Sequence, residues 1–444
     1  MLLKRSLLTL SLQAAQLAAL FGVTVAVSRA TGPHGQGVFT LVTIVAFLAP
    51  LATGLGLSTA SVYLVGRGRH PAQAVVATVL SAAAGSALLA VVLVAGLYVL
   101  LRHSYFRDVS NASFGLLLVT IVASQLLTAS ASLVLGSGRP VEYAMLNALP
   151  GSIAFVLVIV FWVAGVRSVE GALTAWALGN CVAAAAGLAL ARRVAAIRIG
   201  IDIVVLRAMA RFGLQSYLAN FASFLNYRLN GLIINAFLSV ASLGYYSIAV
   251  ALSEAMWLLA SGVSTVVFPR VASSERAEAN RLTAVVARNT LLATALGCLA
   301  MLLVGRWLVQ AIFTAKMLPA ITPLYLLLPG TVALSFGKVA SSYFSGIGKP
   351  IYGAYVAPIN LGITVLLDLA LIPRFGIEGA AAASSIIYTI GSAVALAIFV
   401  RESGNSVWQS LVIQPEDFRL YANLISGAYG RLHALLRPEA APHI

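Results

Sequence analysis

Acidic side chains are scarce in this sequence: Asp and Glu together number 13 in 444 residues, and charged residues of all kinds make up 9%. No two acids stand at a spacing suited to paired acid–base chemistry, and neither a Ser/His/Asp nor a Cys/His set appears. The two cysteines, Cys181 and Cys298, lie inside apolar runs and belong to no CxxC or His/Cys cluster, so nothing points to metal or redox chemistry. Five histidines are scattered over loops and termini, and no phosphate-cradling GxxxxGK[ST] loop is present. Long polar loops are missing too; nothing between the apolar runs is long enough to fold as a separate domain. These absences argue against an enzyme and against a bound cofactor or metal.

What is there is apolar. Hydrophobic residues make up 60% of the chain and mean hydropathy is +0.97, which a soluble core does not need. A membrane helix takes about 20 such residues. Twelve stretches qualify: 7–28, 37–65, 72–101, 112–136, 141–165, 170–191, 209–238, 243–268, 285–312, 319–346, 350–373 and 377–400. The first imitates a signal peptide, but its run is too long for one, and we read it as an uncleaved first helix. The net charge of +15 is spread between the stretches rather than gathered in a block, which suits orientation in a membrane and not nucleic-acid binding. One side holds 19 Lys and Arg against 7 on the other, with Arg228 and Lys338 inside spans. That asymmetry predicts cytoplasmic termini.

The chain repeats itself. Gly136-Ser137-Gly138-Arg139-Pro140 recurs as Gly346-Ile347-Gly348-Lys349-Pro350, Val169-Glu170-Gly171-Ala172 as Ile377-Glu378-Gly379-Ala380, and Gly37-Val38-Phe39 as Gly244-Tyr245-Tyr246. The expected fold is an all-α polytopic membrane protein, twelve transmembrane helices in two six-helix bundles related by a pseudo-two-fold axis along the membrane normal. The expected divisions are a bundle over 1–191, a cytoplasmic linker over 192–208, a second bundle over 209–401 and a cytoplasmic amphipathic tail over 402–444. The linker region mixes basic and apolar residues as an interfacial helix does.

Function is sought in the polar residues of the hairpin Arg211–Pro269. Asn220, Asn226, Arg228, Asn230 and Asn235 fall in its first span and Glu254 in its second. Hydrocarbon penalises such groups, so they face a bundle interior or a watery cavity. Arg228 and Glu254 lie roughly 15 and 18 Å below the outer end of their helices, a match that allows an ion pair or gate. The other reading has Arg228 present its bidentate fork to an anionic headgroup. Asn220, Asn226 and Asn230 share one arc of the helix with Arg228 about 140° away, and serve either sugars or interhelical hydrogen bonds. Lys338 either snorkels to the surface or meets ligand. Arg29 is an anchor or a ligand contact at the outer end of the first span. Gln13, Gln16 and Gln125 are weaker candidates, of which Gln16 is kept as a binding residue. Asp368 is expected near the outer surface, paired with Arg374.

With these residues in view, the chain resembles the polysaccharide (O-antigen type) flippases of the multidrug/oligosaccharidyl-lipid/polysaccharide transporter superfamily. The matching pieces are Arg29–Phe39, Gly54-Leu55-Gly56-Leu57, the hairpin with LNYRLN, LGYYSIA and VVFPRVA, and the paired GxG[RK]P and [VI]EGA elements. Members often carry an acid where this chain has Asn230. The resemblance implies a polyprenyl-diphosphate-linked oligosaccharide moved across a bacterial inner membrane. It also implies a cavity lined largely by spans 1, 2, 7 and 8, with glycosyltransferases or a polysaccharide polymerase as partners. A cation-coupled drug antiporter of the same superfamily and a non-transporting scaffold of a glycan-synthesis complex are the other readings. A major-facilitator sugar transporter would want an acidic and basic motif that VGRGRHPAQ lacks.

Overall fold

A computed structural model of the chain describes residues 2–418 except Pro350; the side chains of residues 2–7, 10, 215, 216, 218–220, 259, 351 and 353–357 lie outside that description. The C-terminal part of the expected amphipathic tail, from 419 on, therefore lies outside the described residues. Regular structure within them is helical: α1 (Leu2–Gly54), α2 (Leu57–Arg67), α3 (Ala72–Leu101), α4 (Asn111–Gly136), α5 (Pro140–Val163), α6 (Val169–Ala191), α7 (Ile203–Phe237), α8 (Val240–Ser273), α9 (Arg276–Ile312), α10 (Ile321–Gly346), α11 (Ile351–Ser403) and the short α12 (Val407–Leu411). Helix is what the composition demands, since backbone in hydrocarbon must satisfy its own hydrogen bonds.

The apolar stretches fall on helix, although α7 and α9 begin well before theirs, at Ile203 and Arg276. Among the described residues, nine helices are long and apolar enough to cross a membrane. Two of them bend part-way. α1 takes φ 69° at Gly32 just before Pro33, and α11 takes φ 64° at Gly376, three residues after Pro373. The 37–65 stretch breaks between α1 and α2, with Leu55 at φ 44° and Gly56 at φ 79°. A Cβ at Gly56 would overlap the Gly213 carbonyl of α7, so only glycine fits there. The linker departs from expectation: residues 194–202 are not helical. Two of their amides are met by side chains of α3, Gly200 N–H donating to Ser81 and Asp202 N–H to Thr78, while Val194 and Ala195 N–H donate to Ala191 O. Asp202 then caps α7 through the N–H groups of Val204 and Val205.

Compactness divides the chain into two units. The first comprises Met1–Ser253, Leu302–Leu327 and Ala354–Ile387; the second Glu254–Met301, Leu328–Gly353 and Tyr388 onward. In the first, Ala60, Leu64, Val76, Val79, Leu133 and Met209 form one core and Leu127, Val134, Leu146 and Ala183 another. In the second, Phe336, Val339, Tyr343 and Phe399 pack with Val267 and Val271. There Arg288 and Asp417, both buried, make a bidentate ion pair at 2.5 and 2.8 Å that ties the segment after α12 to α9. Burial raises the Asp417 carboxyl, but hydrogen bonds from Arg288, the Gln414 N–H and Asn289 outweigh it and hold the group below the usual carboxylate range.

The repeat is visible in atomic detail. In the turn after α4, Gly138 N–H donates to Leu135 O and Arg139 N–H to Val134 O; after α10, Gly348 N–H donates to Ser345 O and Lys349 N–H to Phe344 O. The second glycine of each turn is left-handed, at φ 81° and 77°. The first glycine packs a neighbouring helix: Gly136 lies against Val62 and Val65, Gly346 against Phe268 and Val271.

Inside the first unit the repeat folds onto itself. A Cβ on Gly37 would overlap the Val240 carbonyl, and one on Gly244 would overlap the Pro33 carbonyl. Both pairs are related by the same 207-residue offset that relates Gly37 to Gly244. Gln36, beside them, donates at 3.3 Å to both Thr40 and Ser247, again repeat mates. Replacing Gly37 by alanine is expected to force these helices apart. The cost is at least the ~1–3 kcal/mol of an overpacked core, seen as a lower midpoint of thermal unfolding of the purified protein.

Candidate functional site

A cluster of buried polar groups in the first unit lies where α7, α8 and both arms of α11 meet. Asn230 of α7 is 2% exposed and Asp368 of α11 is 0% exposed. The Asn230 amide donates to Asp368 Oδ1 at 3.1 Å, Ser384 Oγ at 3.0 Å and Ala380 O at 3.3 Å. Tyr246 of α8 shares a 3.2 Å hydrogen bond with Ser384. One turn along α7, Asn226 Oδ1 accepts from Thr364 of α11 at 2.6 Å. The bend at Gly376 makes this possible, because it turns the second arm of α11 so that Ala380 and Ser384 come back beside Asp368. Asp368 Oδ2 is buried and has no hydrogen-bond partner. A buried carboxylate oxygen left that way costs free energy, which makes it a place for chemistry rather than for packing. Among the described residues no three His, Cys, Asp or Glu gather as metal ligands. One carboxylate among neutral oxygens instead suits a proton or a monovalent cation.

The predicted residues separate into groups. Asn226 and Asn230 are used between helices, in the second of the two roles the sequence allowed them. The side chain of Asn220 lies outside the described residues. Arg228 is half-buried on α7. At 100° per residue it points away from the face on which Asn226 and Asn230 meet α11. Arg29 serves as a cap: Nε donates to Ile312 O at 2.7 Å and Nη2 to Ala311 O, at the exposed carbonyl end of α9. Gln16 is half-buried on α1. In the second unit Glu254 is half-buried, and Lys338 sits 3.7 Å from the centre of the Trp257 ring.

Asp368 is a correction. The expected pairing with Arg374 at the surface does not occur: Arg374 is exposed and Asp368 is sealed inside. Its helix arm does end close to Pro373, at the Gly376 bend, but Asp368 lies on the face that meets α7 and the second arm, and that packing rather than the helix end sets its burial. Gln125 is buried and donates to Ser86 of α3 at 2.5 Å.

Residues of the two chain halves also meet within the first unit near the Gly32 bend. Besides the glycine crossing and the Arg29 cap, the Tyr105 hydroxyl donates to Leu232 O at 3.1 Å and Asn235 donates to Tyr105 O at 2.9 Å. Phe21 stacks edge-on against Phe313 at 5.8 Å. These contacts form a seam, made largely of hydrogen bonds to backbone carbonyls.

The family described as "Polysaccharide biosynthesis protein" matches residues 26–322. A probable flippase, AglR of Haloferax volcanii, is 26% identical over 176 residues, 38% of this chain and 37% of that protein; the match thus spans little more than a third of the relative's length. Among solved structures, the lipid II flippase MurJ in an inward closed conformation superposes with a TM-score of 0.73 at 16% identity, over 97% of this chain and all of that one. An inward-facing multidrug resistance MATE transporter of the MOP superfamily gives 0.63 at 17% identity, over 90% and 98%. At such identities the likeness is one of fold.

Proposed function

The chain belongs to the polysaccharide biosynthesis protein family, and from that premise we propose that it is a flippase for polyprenyl-diphosphate-linked oligosaccharides. It carries them from the cytoplasmic to the outer leaflet for cell-surface polysaccharide assembly. The observation that carries this reading is the family match over two-thirds of the chain; the probable flippase among its relatives and the fold shared with a lipid II flippase support it. The proposed setting is a bacterial inner membrane with both termini cytoplasmic, and glycosyltransferases or a polysaccharide polymerase as neighbours.

The proposed mechanism is alternating access of the halves 1–191 and 209–401. Cargo poses a physical problem in two parts: a diphosphate that must be neutralised and sugars that must be hydrated, while the polyprenyl tail stays in lipid. Arg228 is the proposed diphosphate contact, its planar fork matching phosphate oxygens, with Lys338 as a second cation. The seam at Gly37, Gly244, Arg29 and Tyr105 has to open for release, and its backbone-carbonyl bonds can be exchanged for water at small net cost. Asp368 is the proposed coupling group, taking up and releasing a proton or a monovalent cation at Oδ2 as Asn230 and Ser384 shift.

The test is reconstitution of the full chain into vesicles with undecaprenyl diphosphate carrying a neutral oligosaccharide. A membrane-impermeant lectin should reach the inner-leaflet pool only when protein is present and an ion gradient is imposed. Equal exposure in protein-free vesicles would end the reading. Asp368 also favours a cation-coupled drug antiporter on the same fold. Gradient-driven uptake of a fluorescent organic cation by those vesicles, without lipid movement, would select that reading instead.

A further inference from the structure

A cavity of about 500 Å³ opens within the first unit between α2, α4, α5 and α7, a volume within the ~300–1,000 Å³ of small-molecule sites. None of its lining residues is charged. Three of its hydroxyls stand apart from their neighbours. Buried Ser61, Thr120 and Ser130 return their hydroxyl to the carbonyl one turn back, at Leu57, Leu116 and Leu126, and Ser132 on the cavity wall returns its own to Ala129 O. Ser58, Thr59 and Thr128 line the cavity and make no such bond among the described residues. Thr128 is exposed although Leu127 and Ala129 on either side are buried, and it borders a second cavity of about 190 Å³ that Ser58 and Thr59 share. Asn147 spends its amide on Tyr143 O at 2.8 Å, which leaves its Oδ1 as an acceptor.

Part of the wall is aromatic, beside the aliphatic Val62, Ala131 and Leu135. Tyr63 is stacked on Phe212 of α7, ring centres 4.0 Å apart and planes within 10°. Tyr143 lines the other side. Unmet hydroxyls that both donate and accept, a free amide oxygen, aromatic faces and no charge together suit a polyol better than a phosphate or an acyl chain. An acyl chain would leave the hydroxyls unmet and a diphosphate would find no cation among the lining residues.

We infer that this cavity is a subsite for neutral sugar residues of the cargo, distinct from the cationic contacts that hold its diphosphate. The inference rests on the flippase reading and deepens it. It makes the cavity a selector for glycan length: the sugar next to the diphosphate stays with Arg228, and residues further out occupy the space between α2, α4, α5 and α7.

The experiment compares two probes in vesicles, undecaprenyl diphosphate bearing one N-acetylglucosamine and the same lipid extended by three neutral hexoses. The variant combines Ser58→Ala, Thr59→Val and Thr128→Val, which removes hydroxyls with little change of shape. The rate ratio of extended to single-sugar lipid is expected to fall about tenfold, the sum of three modest hydrogen bonds. Should the triple variant fail to accumulate, Thr128→Val alone, at an exposed position, is expected to lower the ratio about twofold. An unchanged ratio overturns the subsite. So does a variant that moves both lipids faster and co-purifies with tightly held bilayer lipid, since the cavity would then be an acyl cleft. Wild-type protein that moves neither probe overturns the flippase reading itself, and the subsite with it.

Discussion

Asp368→Asn is expected to give a protein that is harder to unfold and unable to transport. The asparagine is isosteric, keeps an acceptor for Asn230 and puts an uncharged amide NH2 where the buried carboxylate oxygen has no partner, so the buried charge goes although the new donor is itself unmet. A buried unpaired charge costs more than an unmet amide, so the thermal midpoint should rise. Without a group that can carry a proton or bind a cation, gradient-driven lipid movement should fall to the protein-free background. Stability and activity moving in opposite directions is the signature of a site kept strained for function. If the variant unfolded more easily and still transported, Asp368 would be a structural acid and coupling would have to be sought elsewhere.

The second large effect is expected at Arg228. Losing a charge-assisted bidentate contact is worth about 1.5–3 kcal/mol, so Arg228→Ala should slow translocation about ten- to a hundredfold at normal protein level. Arg228→Lys should recover only part, because a point charge replaces a planar fork. Exchange of Arg228 and Glu254 separates the two roles that the sequence allows. If charge balance along α7 and α8 were its whole task, the exchanged protein would regain both accumulation and transport. If the guanidinium reads phosphate, accumulation recovers and transport does not. Normal export by a well-accumulated Arg228→Ala variant would refute the phosphate role.

Much of the fold was legible because its causes are local. Apolar runs of sufficient length have no alternative to helix in lipid. The GxG[RK]P turns repeat because each needs one residue at φ near 80° and another without a side chain against a neighbouring helix. The breaks were legible for the same reason: glycine near proline marks them, and helical geometry is interrupted at Gly32 within TGPHG and at Gly376, three residues after Pro373 and between the stretches 350–373 and 377–400. The coupling cluster was hidden because Asn230 meets residues 138 and 154 positions away, through a bend at a single glycine. The hydroxyls of the sugar cavity were hidden too, since a serine that bonds its own helix and one that does not look alike in sequence.

The crossing of Gly37 and Gly244 bears on how the chain is made. Each half supplies the contact that lets the other close, so α1 leaves the ribosome with its packing partner still more than 200 residues unsynthesised. Until α8 is inserted, the bend at Gly32 holds a helix arm with an open groove at Gly37, and the first half waits in the bilayer unlatched. A chain interrupted anywhere before residue 244 would expose that groove to other copies of itself, and quality-control proteases would meet it there.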